Sequence, residues 1–246
     1  MTELLFRDDA YLRECTARVT AVGTDPAKPW VELGRTVFYY ESGGQPGDTG
    51  RMSLVDGRSY AIVDARRGDQ PGAVRHLLEP AAPIADLAVG TTVNVTIDWA
   101  RRHRIMRMHT CLHLLSAIII APVTGGQVGD GYGRLDFDLP DNIDAADVEQ
   151  RLNALIARDD PVGTRWITDA ELDAHPELIK TMSVTPPRGL GSVRLVEVAG
   201  VDLQPCGGTH VARTGELGRM RIAKVEKKGS KNRRVRVEFA AAVAPA

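Results

Sequence analysis

Between Arg13 and Ile97 the apolar residues come in short runs or alternate with polar ones: CTARVTAV, RSYAIVDA, AVRHLL and TTVNVTI, separated by clusters of Gly, Pro and Asp. Such a period of two, broken by turn residues, predicts strands in a sheet or small barrel. At Asp98 the pattern changes. Asp98 is suited to cap a helix that runs to about Ala121, where Pro122 forces a stop. A glycine-rich connection, TGGQVGDGYG, then leads into RLDFDL, an alternating strand. In DAADVEQRLNALIARDD the residues Val148, Leu152, Leu155 and Ile156 share one face of an amphipathic helix. VGTRWI reads as a strand, and Thr168 with Glu171 forms a capping box before a short helix ending near His175. SVRLVEV, RMRIAKVEKK and RRVRVEF are strands again, with KKGSKN as a hairpin turn. The expected fold class is α+β: a β-rich, barrel-like domain over residues 1–97, then an α/β domain over residues 98–246 whose long helix packs on a mainly antiparallel sheet.

Composition narrows the classes available. With 246 residues, 43% hydrophobic, 26% charged and a net charge of -1, the chain is an ordinary globular protein, so any nucleic-acid contact must come from a local basic patch. Three cysteines (Cys15, Cys111 and Cys206) are too few and odd in number for a disulfide framework, which points to a reducing, cytoplasmic setting. The N-terminal stretch carries acids where a signal peptide would carry an apolar run. The longest apolar stretch, Leu112 to Val123, is interrupted by Ser116 and ended by Pro122, so no membrane partner is expected.

The chemistry concentrates in MHTCLHLL, residues 108 to 115. On a helix, residues four apart lie about 40° from one another on one face. His109 and His113 therefore converge, while Cys111 falls about 160° away on the opposite side. His103 is displaced from the shared face and reads as a surface residue or minor contact. Two imidazoles are half of a zinc site. The other half is available downstream in PCGGTHV, where Cys206 and His210 are four apart and Gly207 and Gly208 let the backbone turn. Three nitrogens and one sulfur suit tetrahedral zinc. The alternative for each pair alone is a set of partly buried histidines satisfying backbone groups. Metalloprotease chemistry is excluded, because Thr110 stands where H-E-x-x-H needs its glutamate. Spacing leaves open whether the metal is structural or catalytic.

Three segments together, TVFYYESGGQPGDTG (36–50), DWARRHRIMRMHTCLHLLSA (98–117) and PCGGTHV (205–211), resemble the alanyl-tRNA editing proteins of the AlaX type, in their medium-length form, and the editing domain of alanyl-tRNA synthetase. FRDDAYLRECTARVTAV also looks like the family's opening region. The resemblance implies a trans-editing hydrolase, an aminoacyl-tRNA deacylase dependent on one Zn2+ per chain. Its substrate would be the acceptor end of tRNA(Ala) carrying the wrong amino acid, chiefly serine, with glycine as a second candidate. It assigns His109, His113, Cys206 and His210 as zinc ligands and catalytic residues. Thr36, Gly43, Gly44 and Gln45 match the glycine-rich segment beside the editing pocket, and Gln127 matches the glutamine of the family's Q-x-G-S. Two positions depart from the family: Tyr40 stands where proline is frequent, and Asp130 replaces the serine of Q-x-G-S. A synthetase site that selects alanine rejects an added hydroxyl only weakly, which is why a second, hydrolytic sieve is needed.

Arg101 and Arg102 on the first half of the zinc-site helix, with Arg104 and Arg107 near them, are candidate phosphate contacts. So are Arg233, Arg234 and Arg236 in a final hairpin that also carries Lys224, Lys227, Lys228 and Lys231. The expected assembly is a monomer or weak homo-oligomer. The competing readings are an editing domain of the threonyl-tRNA synthetase type and a non-catalytic zinc-stapled RNA-binding module.

Overall fold

A computed structural model describes residues 1–84, 87–182 and 191–240; the last residues of the C-terminal EFAAAVAPA lie outside them. The chain forms two compact units, Met1–His103 and Arg104–Ala246, so the division falls a little beyond position 97, inside the long helix. The architecture is α+β and strand-rich.

The first unit is a closed six-stranded barrel built from β1 (Glu14–Gly23), β2 (Trp30–Leu33), β3 (Gly50–Leu54), β4 (Ser59–Arg67), β5 (Val74–Leu78) and β6 (Thr92–Ile97), in the order β1-β2-β5-β4-β3-β6 with β6 closing on β1. Alternation puts one face inside: Val93, Val95 and Ile97 of β6, Ala17 and Val19 of β1, and Val74 and Leu78 of β5 are buried in a common core. Two of these strands, WVEL and GRMSL, are too short and too mixed to stand out in the pattern. They are fixed by remote partners, Trp30 against Leu77 and Gly50 against Ile97.

The helix α1 (Trp99–Ile118) begins at the end of the barrel and runs into the second unit. Asp98 caps it, accepting from the Arg101 backbone N–H at 3.0 Å. The second unit contains β7 (Val123–Val128), β8 (Tyr132–Asp138), α2 (Ala145–Ala157), β9 (Val162–Ile167), α3 (Asp169–Ala174), β10 (Val193–Val198), β11 (Asp202–Pro205), β12 (Met220–Lys228) and β13 (Asn232–Phe239). They form an antiparallel sheet in the order β12-β13-β8-β7 and a three-stranded antiparallel sheet β9-β10-β11. The glycine-rich connection read in the sequence is thus partly strand: VTGGQV pairs with β8, because ladder hydrogen bonds need no side chain. Gly133 on β8 faces the side chains of Met108 and Leu112 on α1. A Cβ there would approach Met108 Sδ to 2.8 Å, so the glycine lets α1 lie against the sheet.

The expected capping box is present, and a further cap joins it. Thr168 and Glu171 form the reciprocal capping box of α3, and Asp144 caps α2, which buries Val148, Leu152 and Ile156. Leu155 is only half-buried. Among the described residues, no helix is long and apolar enough to cross a membrane.

Candidate metal centre

Every residue of α1 from Met108 to Ser116 is buried, so the polar side chains on this stretch must find partners inside the protein. His109 and His113 lie one turn apart with ring centroids 5.3 Å from each other. The chain leaving β11 brings Cys206 and His210 onto the same spot, with the His210 ring 4.3 Å from that of His109 and 4.5 Å from that of His113. One donor atom from each of the four residues lies within 4.8 Å of all the others.

These separations test whether zinc would fit. Zinc–sulfur bonds of about 2.3 Å and zinc–nitrogen bonds of about 2.0–2.1 Å, set at a tetrahedral angle, place sulfur and nitrogen about 3.5 Å apart. Cys206 Sγ lies 3.6 Å from His109 Nε2 and 3.3 Å from His210 Nε2. The donor set fits. Cys111 lies outside it, fully buried, with its thiol pushed up to about 12 by burial.

A second layer holds the four side chains. His113 Nδ1 is 3.0 Å from Asp202 Oδ2, so the carboxylate takes that ring's N–H and leaves Nε2 for the cluster. Asp202 also accepts from Gln204 Nε2 at 2.8 Å and from Lys180 Nζ. Thr110 Oγ1 sits 3.1 Å from His210 Nδ1 and accepts from Val211 N–H, tying helix to loop. Burial alone would raise the Cys206 thiol, but the neighbouring imidazoles of His109 and His210 hold it well below its usual range, toward the thiolate a metal requires. His113 is raised to about 9: burial opposes its charge, and the Asp202 and Cys206 hydrogen bonds outweigh it. Burial and the adjacent His109 push His210 down to about 3. Asp202 is lowered to about 2 despite burial, through His113 and Lys180.

Sequence reasoning missed Asp202, Gln204, Lys180 and Thr110 as supports. A signal existed for two of them: Asp202 and Gln204 share strand parity with Cys206, so alternation points all three to one face.

In the first unit, Gly43 and Gly44 have φ of +56° and +82° and form a two-residue turn closed by reciprocal backbone hydrogen bonds between Ser42 and Gln45. Both central positions need left-handed backbone, which glycine supplies without steric cost. Gln45 is buried beside this turn. Thr36 is fully buried inside the barrel unit. His76 Nδ1 lies 3.2 Å from the Val31 carbonyl, which can only accept, so Nδ1 carries the proton and Nε2 is bare. The Thr36 hydroxyl, 2.8 Å away, therefore donates to Nε2 while accepting from Phe38 N–H at 3.0 Å. Its proton is committed. Gln127 is exposed on β7, in the second unit, with Arg134 Nε 3.3 Å from its Oε1.

The basic candidates separate sharply. Arg102 is fully buried and is not a phosphate contact. Its Nε donates to both oxygens of Asp48 at 2.9 Å, its other nitrogens reach the carbonyls of Ala10 and Val37, and Tyr39 N–H also binds Asp48. Asp48 is therefore spent as well. Arg233 is likewise buried, bonded to the carbonyls of Asn232 and Pro140, since it shares parity with the core residues Val235 and Val237. Arg101 is half-buried against the Gly47 carbonyl at 2.8 Å. Arg234 pairs with Asp136 at 2.7 Å and Arg236 with Glu226 at 2.8 Å. Asp130, the residue replacing serine, pairs with Arg104 at 2.6 Å.

Comparison with known proteins decides what this site belongs to. An alanyl-tRNA editing protein AlaX-M of Methanosarcina acetivorans is 37% identical over 244 residues, covering 96% of this chain and 98% of the relative. The chain belongs to the AlaX-M family. An AlaX-M protein of Saccharolobus solfataricus is 31% identical over 239 residues, with 98% of that protein covered. An alanine–tRNA ligase of Pyrobaculum calidifontis is 33% identical over 240 residues, but there the match is 25% of the relative's length. Residues 193–236 match the family described as the threonyl and alanyl tRNA synthetase second additional domain. In this chain that segment contains β10, β11 and two of the four clustered residues, Cys206 and His210.

Proposed function

We propose that the protein is a trans-editing, zinc-dependent aminoacyl-tRNA deacylase of the cytoplasm. It hydrolyses the ester of mischarged tRNA(Ala), chiefly Ser-tRNA(Ala) and secondarily Gly-tRNA(Ala). The observation that carries this reading is the convergence of His109, His113, Cys206 and His210, whose donor atoms lie within 4.8 Å of one another with the sulfur 3.6 and 3.3 Å from two imidazole nitrogens, in a chain of this family. A zinc ion held there would supply Lewis acidity, polarising an ester carbonyl or lowering the pKa of water. The chain's own residues do the rest. Asp202 and Thr110 fix the rings of His113 and His210, so the ligand nitrogens are oriented in advance. Asp48, bound to Arg102 and Tyr39, is not free to act as a base.

Selectivity against alanine must rest on hydrogen bonding to the serine hydroxyl, which leaves a protein group unpaired when alanine binds instead. Thr36 and Gln127 are the proposed readers, and Gly43, Gly44 and Gln45 are further proposed substrate-binding residues. With its proton given to His76, Thr36 meets a ligand as an acceptor only. Arg101, Arg234 and Arg236 remain the proposed phosphate contacts. A deacylation time course with Ser-, Gly- and Ala-tRNA(Ala), run with and without chelator, tests the proposal. Rapid release of serine that stops on chelation is expected. Equal turnover of mischarged tRNA(Thr) would favour a threonyl-type editor instead, and binding of tRNA without release of amino acid would favour a non-catalytic module. Thr36→Val is expected to lower the Ser-over-Ala preference by about tenfold, the worth of one hydrogen bond.

A further inference from the structure

The sulfur ligand sits on a loop with two consecutive glycines, Gly207 and Gly208, a stretch with large backbone freedom. Arg194 of the neighbouring strand β10 holds its first turn. The β10–β11 ladder pairs Leu195 with Pro205, and one step beyond it the Cys206 N–H donates to the Arg194 carbonyl at 3.1 Å. The Arg194 side chain then returns: one terminal guanidinium nitrogen donates to the carbonyls of both Cys206 and Gly208, each at 2.9 Å. Both main-chain polar groups of Cys206 thus end on residue 194. The two clamped carbonyls flank the peptide whose N–H, that of Gly208, points at Cys206 Sγ from 3.4 Å.

Arg194 is 8% exposed and sits in a strand whose Val193, Leu195 and Val196 are all buried. Burying a guanidinium in such a strand is costly, and the carbonyls of Cys206 and Gly208 are among the groups that meet it. We propose that Arg194 is a positioning residue for the metal centre. It locks the Cys206–Gly208 turn so that Sγ already faces His109 and His210 before metal arrives, and the ordering cost of a double-glycine loop is not charged to metal binding. The inference rests on the reading that the four clustered residues hold zinc.

Zinc titration of the full-length apoprotein, with cobalt substitution as an optical probe of the thiolate bond, tests it in Arg194→Met and Arg194→Lys. The expected result is a 10–100-fold weaker zinc Kd for Arg194→Met, the range for lost outer-layer support, with a diminished sulfur-to-cobalt absorption band. Arg194→Lys loses less, because an ammonium supplies donors but not the rigid planar fork. Wild-type Kd and an unchanged cobalt spectrum in both variants would overturn the proposal. Should Arg194→Met fail to fold, as judged by circular dichroism, Arg194→Lys decides: a weaker Kd at an unchanged melting temperature supports the clamp, and an unchanged Kd overturns it. Failure of the wild-type protein to take up zinc or cobalt defeats the metal reading instead. The alkylation rate of Cys206 in wild type and Arg194→Lys then decides the clamp, equal rates overturning it.

Discussion

The protein buries histidine in two places, and the two differ in what their ring nitrogens have left to give. In the barrel, His76 spends both: Nδ1 on the Val31 carbonyl and Nε2 on the Thr36 hydroxyl. Its pKa is lowered to about 4 by burial, with the carbonyl opposing weakly, so it stays neutral. In the second unit, His113 and His210 each have Nδ1 served by a partner, Asp202 or Thr110. The Nε2 atoms of His109 and His210 turn toward the Cys206 sulfur. Burial is common to both places. What distinguishes a metal centre is that imidazole nitrogens from several rings meet one sulfur at a single point.

The largest break in that contrast is removal of the sulfur. Cys206→Ala is expected to abolish stoichiometric zinc uptake, whereas Cys111→Ala, on the far side of α1, retains it; metal analysis of the two purified variants checks this. Next comes the pH dependence set by His76. Its folded value is depressed from 6.5 to about 4, so below 6.5 the unfolded chain binds the proton that the folded chain refuses. Stability is then complete above pH 6.5 and falls as pH drops toward 4, by roughly 3 kcal/mol in total. Denaturant unfolding of wild type and His76→Gln across this range is expected to show that component only in the wild type. Smaller still is Asp202→Asn, which keeps the shape but removes the charge that orients His113. A 10–100-fold loss of zinc affinity is expected by competition titration.

How far these features were legible depended on whether they were local. Helical spacing alone brought His109 to His113 and sent Cys111 away, and the loop pair Cys206 and His210 was visible beside them. The same arithmetic applied to Arg102 would have warned against an RNA contact. It lies seven residues before His109, on the stripe that also carries Ile105 and Met106, both fully buried. Arg233 carried the same warning in strand parity. Composition drew attention to basic residues where position had already assigned them to the interior. The rest was out of reach of any local pattern. His76 meets Thr36 across 40 residues and Asp48 meets Arg102 across 54. The strands β2 and β3 are short segments made strands by partners distant in the chain.

The central claim is that one zinc ion binds where four particular side chains converge. X-ray absorption at the zinc edge of the purified wild-type protein measures this directly. One zinc per chain is expected, in a shell of one sulfur and three imidazole nitrogens. A shell containing two sulfurs, one without sulfur, or a protein that binds no zinc would contradict it.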